Sequence, residues 1–238
     1  MCDRQRSHAW YEARRGKLTA SNLGGVLGLG RLSRKEAMRR ALGIDEFKGN
    51  CATQWGQDNE MNAIVDYSIA TEHAVDATGL HIHPVYDWIA GSPDGLVGEE
   101  GMIEVKCPYY GYHRLHEEVP IYYYVQMNAL LEITGRAWCD YICWSPTSMI
   151  VYRVYKDKEL FNYLLHHYGQ FYAAMCAYMD PPMIPDKVAL EAEIQQSMAQ
   201  NIDYKFWYSS HARLLSKSNS HDDVLVDPHA EKHSGKEE

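Results

Sequence analysis

Gly91-Ser92-Pro93-Asp94-Gly95, followed by Ile103-Glu104-Val105-Lys106-Cys107-Pro108, decides how this chain is read. Ser-Pro-Asp-Gly is turn chemistry: Pro presets φ, Asp caps and Gly takes positive φ. The turn feeds Leu96-Val97, a Gly98–Gly101 turn and then a strand, so the pattern is a hairpin. Side chains alternate along a strand, so Met102, Glu104 and Lys106 share one face and Ile103, Val105 and Cys107 the other. The second face is apolar and suits a core. The first sets a carboxylate beside an ammonium. With Asp94 ten residues before Glu104, two carboxylates beside a lysine suit a divalent metal ion and a water aimed at a phosphate. Each half alone is ordinary, a tight turn or the wet face of an edge strand. Their succession points to catalysis.

Working outward, 238 residues make one large domain or two small ones. Apolar residues are 46% of the chain, enough for a full core. No apolar run reaches membrane-spanning length, and Met1-Cys-Asp-Arg-Gln-Arg6 lacks the apolar stretch of a signal peptide, so a soluble intracellular protein is expected. Six cysteines without a Cys-x-x-Cys pair predict neither a disulfide framework nor a structural zinc site. Net charge is −9, against a general nucleic-acid binder, but it is unevenly spread. Residues 1–50 have a balance of +6, residues 51–110 of −9 and residues 111–238 of −6. The basic first part suits a phosphate backbone, and the acidic middle, which holds Asp94 and Glu104, attracts divalent cations.

Short helices are expected at Ser7–Arg15, from the Thr19-Ala20-Ser21 hydroxyl cap, and from the capping box Ser33-Arg-Lys-Glu36 to Gly43. A longer one spans Thr53–Ala70, with Glu60, Ile64 and Tyr67 on one face. Short strands follow between Ala74 and Cys107. Helices return at Tyr110–Glu118 and, with Pro120 in its first turn, at Ile121–Thr134. The strands Ala137–Trp144 and Met149–Tyr155, a helix from Lys158 to Met179 and an amphipathic helix over Lys187–Leu215 complete the pattern. Residues 216–238 are polar and aperiodic and read as a disordered tail behind one folded domain over residues 1–215. The fold class is α/β (α+β), one central mixed sheet flanked by helices. No dinucleotide, Walker or nucleophile-elbow motif accompanies the strands.

Four patches stand in order: Trp10-Tyr-Glu-Ala-Arg14-Arg-Gly-Lys-Leu-Thr-Ala-Ser21; Trp55-Gly56-x-x-x-Glu60-Met61-x-Ala63; Gly91-Ser-Pro-Asp94-Gly…Glu104-Val-Lys106-Cys-Pro108; and Tyr123-x-x-Gln126 before Thr134-Gly135. Over residues 7–155 this resembles the lambda-type exonuclease family, the YqaJ-like viral recombinases, within the restriction-endonuclease-like superfamily. The resemblance implies a phage- or prophage-encoded enzyme of the bacterial cytoplasm. Such an enzyme degrades linear double-stranded DNA from 5′-phosphorylated ends to mononucleotides and leaves 3′ overhangs. It implies Asp94, Glu104, the Val105 carbonyl and Glu60 as ligands of two Mg²⁺ (or Mn²⁺) ions, and Lys106 positioning or deprotonating the attacking water. It implies a 5′-phosphate pocket of Arg14 and Ser21, joined by Ser92, with Gln126 on the reacting or terminal phosphate and Tyr123 one helical turn away. A homotrimeric ring and a single-strand annealing partner come with the family.

The residues themselves leave alternatives open. Glu60 is equally a helix carboxylate paired with a Lys or Arg, Arg14 a surface residue and Ser21 an ordinary helix cap. Asn128 stands where relatives often carry a second Gln. Asp94, Glu104 and Lys106 serve a structure-selective endonuclease as well as an exonuclease, and a catalytically inactive DNA-end-binding adaptor is a third reading of the same fold.

Overall fold

The computed structural model describes residues 5–30, 32–44, 49–109 and 115–209. Ser7 caps α1 (His8–Arg14), accepting from the Trp10 amide at 3.2 Å. β1 (Leu18–Thr19) runs straight into α2 (Ala20–Val26). Thr19 occupies the cap position there, but its hydroxyl makes no capping bond and lies 3.4 Å from Ser21 Oγ, so the expected hydroxyl cap is absent. The capping box forms: Ser33 and Glu36 close α3 (Arg34–Ala41) reciprocally, and Gly43 follows at φ +68°. Asn50 accepts from the Thr53 amide and opens α4 (Cys51–Thr71), two residues before its expected start.

Four short strands follow: β2 (His81–Ile82), β3 (Ile89–Gly91), β4 (Gly95–Val97) and β5 (Gly101–Lys106). Then come α5 (Ile121–Thr134), β6 (Trp138–Ser145), β7 (Ser148–Tyr155), α6 (Lys158–Cys176), α7 (Lys187–Asn201) and β8 (Ile202–Ser209).

The strands form two sheets where one was expected, β1-β3-β2 and β4-β5-β6-β7-β8. In the larger, β5 and β6 are parallel and the other neighbours antiparallel. One face of the larger sheet, with Met102, Cys139, Tyr141 and Cys143, joins a core with α2, α5 and α6. The other, with Ile103, Val105, Ile142 and Trp144, packs on Ala63 and Tyr67 of α4. The predicted division of β5 into two faces therefore holds, but neither face is wet: β5 is an interior strand covered on both sides.

Three other expectations are corrected. The helix read over Lys187–Leu215 ends at Asn201, and Ile202–Ser209 is a strand paired with β7. Its run Ile-Asp-Tyr-Lys-Phe-Trp-Tyr is rich in β-branched and aromatic residues that fit a pleated surface, and this outweighs continuation of the helical period. Of the helix expected at Tyr110–Glu118, residues 110–114 lie outside the described residues and 115–118 are not helical. Pro120 is the N-cap of α5 and not a first-turn residue. The helix from Lys158 stops at Cys176 rather than Met179, with Tyr178 in the left-handed region. The tail 216–238 lies outside the described residues. No helix among them is long and apolar enough to cross a membrane.

Candidate active site

The β4–β5 hairpin folds Asp94 back onto the strand that carries Glu104. Asp94 Oδ2 accepts from the Val105 amide at 2.7 Å, and the Asp94 amide donates to the Ile103 carbonyl at 3.1 Å. Gly95 begins β4 without the positive φ expected of the turn, and its missing side chain leaves room for Val75, whose Cγ1 a Cβ there would meet at 2.3 Å.

Glu104 is the centre of the site. It is 2% exposed. Its Oε1 accepts from Gln126 Nε2 at 2.6 Å and from the Lys106 ammonium. Its Oε2 is buried without a partner. Buried polar atoms are ordinarily hydrogen-bonded, and an orphaned one calls for an explanation. Gln126 reaches Glu104 from α5, where it is buried, and Tyr123 one turn earlier lays its ring 4.8 Å from Lys106 Nζ.

The electrostatics are those of carboxylates crowded together in the interior. Burial, then the charge of Glu104, push the Asp94 carboxyl well above the usual carboxylate range, and Glu60 adds to the rise. Burial alone pulls the Lys106 ammonium down, but Glu104 and Asp94 more than offset it and hold Lys106 above the ordinary lysine value.

Among the described residues no three His, Cys, Asp or Glu side chains converge as a ready-made cage. The unpartnered Glu104 Oε2 and the buried Asp94 carboxylate are nonetheless hard-oxygen donors of the kind a divalent ion takes, and such an ion would relieve both the orphaned oxygen and the crowded negative charge. Glu60 lies within electrostatic reach of Asp94 but is paired with Arg6, Nη2 to Oε2 at 2.5 Å.

The residues expected to hold a terminal phosphate come together through one aromatic ring. Arg14 stacks on Trp10, its guanidinium carbon 4.0 Å from the ring centroid, and its Nη2 lies 3.4 Å from Ser21 Oγ. The Trp10 indole donates to Ser92 Oγ at 2.9 Å. Burial lowers the Arg14 pKa to about 10, which still leaves a cation at neutral pH. Ser21 is exposed at the start of α2, beside Arg14. Ser92 is two residues from Asp94, so the Arg14 cluster adjoins the carboxylates.

Two neighbours of Lys106 were not singled out from the sequence. His116 Nδ1 and the Tyr141 hydroxyl share a 2.5 Å hydrogen bond, and both rings lie about 6 Å from that of Tyr123. Burial, then the Lys106 charge, lower the His116 pKa. Tyr141 alternates with Cys139 and Cys143, but its pairing with Glu104 across the parallel ladder is set only by folding. His116 falls in the helix expected at Tyr110–Glu118, and the structure places it in an irregular segment instead.

Asn128 takes no part. Its amide donates to the Asp157 carbonyl at 3.0 Å and accepts from the Asp157 amide at 2.9 Å, which ties α5 to the start of α6.

With this geometry in view, the family model of the YqaJ-like viral recombinase domain matches residues 9–137. The chain belongs to that family. Every expected site residue, from Arg14 to Gln126, falls within the matched span. Among solved structures, an alkaline exonuclease (LHK-Exo) from Laribacter hongkongensis is 28% identical, with 82% of this chain and 97% of that chain covered at a TM-score of 0.58. Its complex with dAMP gives the same values. A phage-related exonuclease from Haemophilus somnus 129PT, 18% identical over 69% of this chain and 93% of its own at a TM-score of 0.51, shares the fold. No curated protein matches. This YqaJ-family protein is a nuclease of the lambda-exonuclease type, with a mixed α/β fold.

Proposed function

We propose that the protein is a divalent-metal-dependent 5′-to-3′ exonuclease that degrades one strand of linear double-stranded DNA from a 5′-phosphorylated end, releases mononucleotides and leaves a 3′ overhang. One observation carries the reading. A carboxylate buried to 2% exposure keeps one oxygen unpartnered while a lysine and a glutamine hold the other, beside an aspartate whose proton is held abnormally tightly.

Asp94, Glu104, the Val105 carbonyl and Glu60 would hold Mg²⁺ or Mn²⁺, in the family's manner two ions. Bound there, the ions would supply positive charge for the phosphoryl oxygens and lower the pKa of a coordinated water. The chain's own residues do the rest. Arg14, with paired guanidinium donors, grips the terminal phosphate, and Ser21 and Ser92 add hydroxyl donors. This fixes the register of the strand, so each cut removes the end nucleotide. Lys106, kept protonated, positions the attacking water and offsets charge developing at phosphorus. Gln126, oriented by Glu104, presents its amide to the reacting phosphate, and Tyr123 supports Lys106 from below. A homotrimeric ring, a single-strand annealing partner and a setting in the bacterial cytoplasm under phage or prophage control complete the proposal.

The test is digestion with Mg²⁺ of linear duplexes labelled on the 5′ or the 3′ strand, with and without a 5′-phosphate, beside a closed circle. Loss of the 5′-phosphorylated strand as mononucleotides with the circle intact is expected. Cutting of the circle would make the protein an endonuclease, and end binding without hydrolysis in any divalent metal would make it an adaptor.

A further inference from the structure

Arg6 lies ahead of the span that matches the family and is absorbed by none of the roles above. Its backbone has φ +64°, a region that residues with side chains rarely adopt. The distortion is pinned from both sides. Gln5 Nε2 donates to the Pro93 carbonyl at 2.8 Å and to the Thr78 carbonyl at 3.3 Å, which fastens the segment to the turn that carries Asp94. Ser7 starts α1 immediately after. Between these anchors the Arg6 side chain is directed onto Glu60, Nη2 to Oε2 at 2.5 Å.

The charges around it explain why a cation belongs there. Glu104 and Glu60 each act on Asp94, and Lys106 is committed to Glu104. Glu60 would otherwise face Asp94 uncompensated. Its partner is nevertheless easily exchanged, because the Arg6 and Glu60 side chains are 41% and 25% exposed. Ion pairs this open to solvent are weak, whereas a divalent ion bound by several carboxylates is not.

We propose that Arg6 is the resident counter-cation of the acidic site: it holds Glu60 in the metal-free protein, yields it to an entering divalent ion, and then offers its freed guanidinium to a DNA phosphate at the same place. The inference rests on the metal-site reading of Asp94, Glu104 and Glu60. A guanidinium within hydrogen-bonding reach of a metal-binding carboxylate stands beside any phosphate that the metal draws in, and its paired donors match phosphate oxygens. Arg6 is then a positioning residue for Glu60 before loading and a substrate contact after it.

The two roles predict opposite effects of one substitution. Arg6→Gly also relieves the left-handed backbone, so it should fold at least as well as the unsubstituted chain, which a thermal melt checks. Calorimetric titration of the full chain with Mn²⁺, without DNA, should show about two- to five-fold tighter binding in Arg6→Gly, since a weak competitor has been removed. Hydrolysis of a 5′-phosphorylated duplex at saturating Mn²⁺ should fall about ten-fold, the cost of one charge-assisted phosphate contact. In a Glu60→Gln background, Arg6→Gly should leave Mn²⁺ affinity unchanged. Unchanged or weaker Mn²⁺ binding in Arg6→Gly alone, with the unsubstituted chain binding normally, would overturn the exchange. Unaltered hydrolysis would overturn the phosphate contact. No saturable Mn²⁺ binding by the unsubstituted chain would overturn the metal-site reading and this inference together.

Discussion

Glu104 Oε2 is a carboxyl oxygen inside the protein with no donor, while its twin Oε1 is held by both Gln126 and Lys106. An unsatisfied buried acceptor costs about 1–3 kcal/mol, a cost that the proposed cation would offset. The site's residues should then separate by role. Lys106→Ala is expected to keep binding DNA ends in a filter-binding assay while hydrolysis falls by roughly 10²–10⁴-fold, the range for a group acting on a proton in the reaction. Arg14→Ala should instead blunt discrimination between 5′-phosphorylated and 5′-hydroxyl duplexes, by about 1.5–3 kcal/mol for a hydrogen bond to a charged group. Comparing kcat/KM on the two substrates checks it, and an unchanged ratio would remove Arg14 from the pocket. Asp94, Glu104 and Lys106 were legible because turn chemistry and strand alternation are local rules. The ring that organises Arg14 was not: Trp10 and Ser92 are far apart in sequence, and only folding sets the indole N–H 2.9 Å from the hydroxyl.

At the scale of elements, the candidate site is held where the β4–β5 hairpin, which gives Asp94 and Glu104, meets α5, which gives Gln126 and Tyr123, with Glu60 of α4 within electrostatic reach of Asp94. α4 is pinned to the sheet by polar bonds as well as by packing. The Tyr67 hydroxyl donates to the buried Asp140, which Arg153 grips with two nitrogens, and the Trp144 indole donates to Asp66. α5 is fastened to α6 by Asn128, so this residue belongs to the scaffold and not to the chemistry. Asn128→Ala is therefore expected to lower unfolding free energy by about 1–3 kcal/mol, since it strands the Asp157 amide, while the Asp157 carbonyl keeps the Phe161 amide. Activity per folded molecule should be unchanged; urea titration beside an active-site assay tests both. Helix starts marked by Ser7, the Ser33–Glu36 box and Asn50 were readable or nearly so, because capping is decided within four residues. β8 was not, because its aromatic run is ambiguous in isolation and becomes a strand by pairing with β7.

For the whole molecule, the acidic cluster is expected to couple stability to pH and, on the proposed function, to metal. Burial and the charge of Glu104 raise the Asp94 pKa in the folded, metal-free protein, so the fold holds that proton more tightly than the unfolded chain does. The stability it contributes is fully present below the unfolded value of about 3.9 and is lost as pH rises through the raised folded value. Thermal melts in chelator should show the midpoint falling over that window, and Asp94→Asn should flatten the fall and melt higher than the unsubstituted chain at neutral pH. Added Mg²⁺ should restore the unsubstituted protein and not the variant, and a midpoint indifferent to both would argue against the cation site. The sequence by itself determined the α/β class, the hairpin that pairs Asp94 with Glu104, the two faces of β5 and most helix starts, because alternation, turns and caps act over a few residues. Only the tertiary structure decided that β5 is buried on both faces, that the strands split into two sheets, that Asn128 is scaffold, and that Trp10, His116, Tyr141 and Arg6 surround the site. Those are contacts between distant segments, and their energies exist only once the chain has closed on itself.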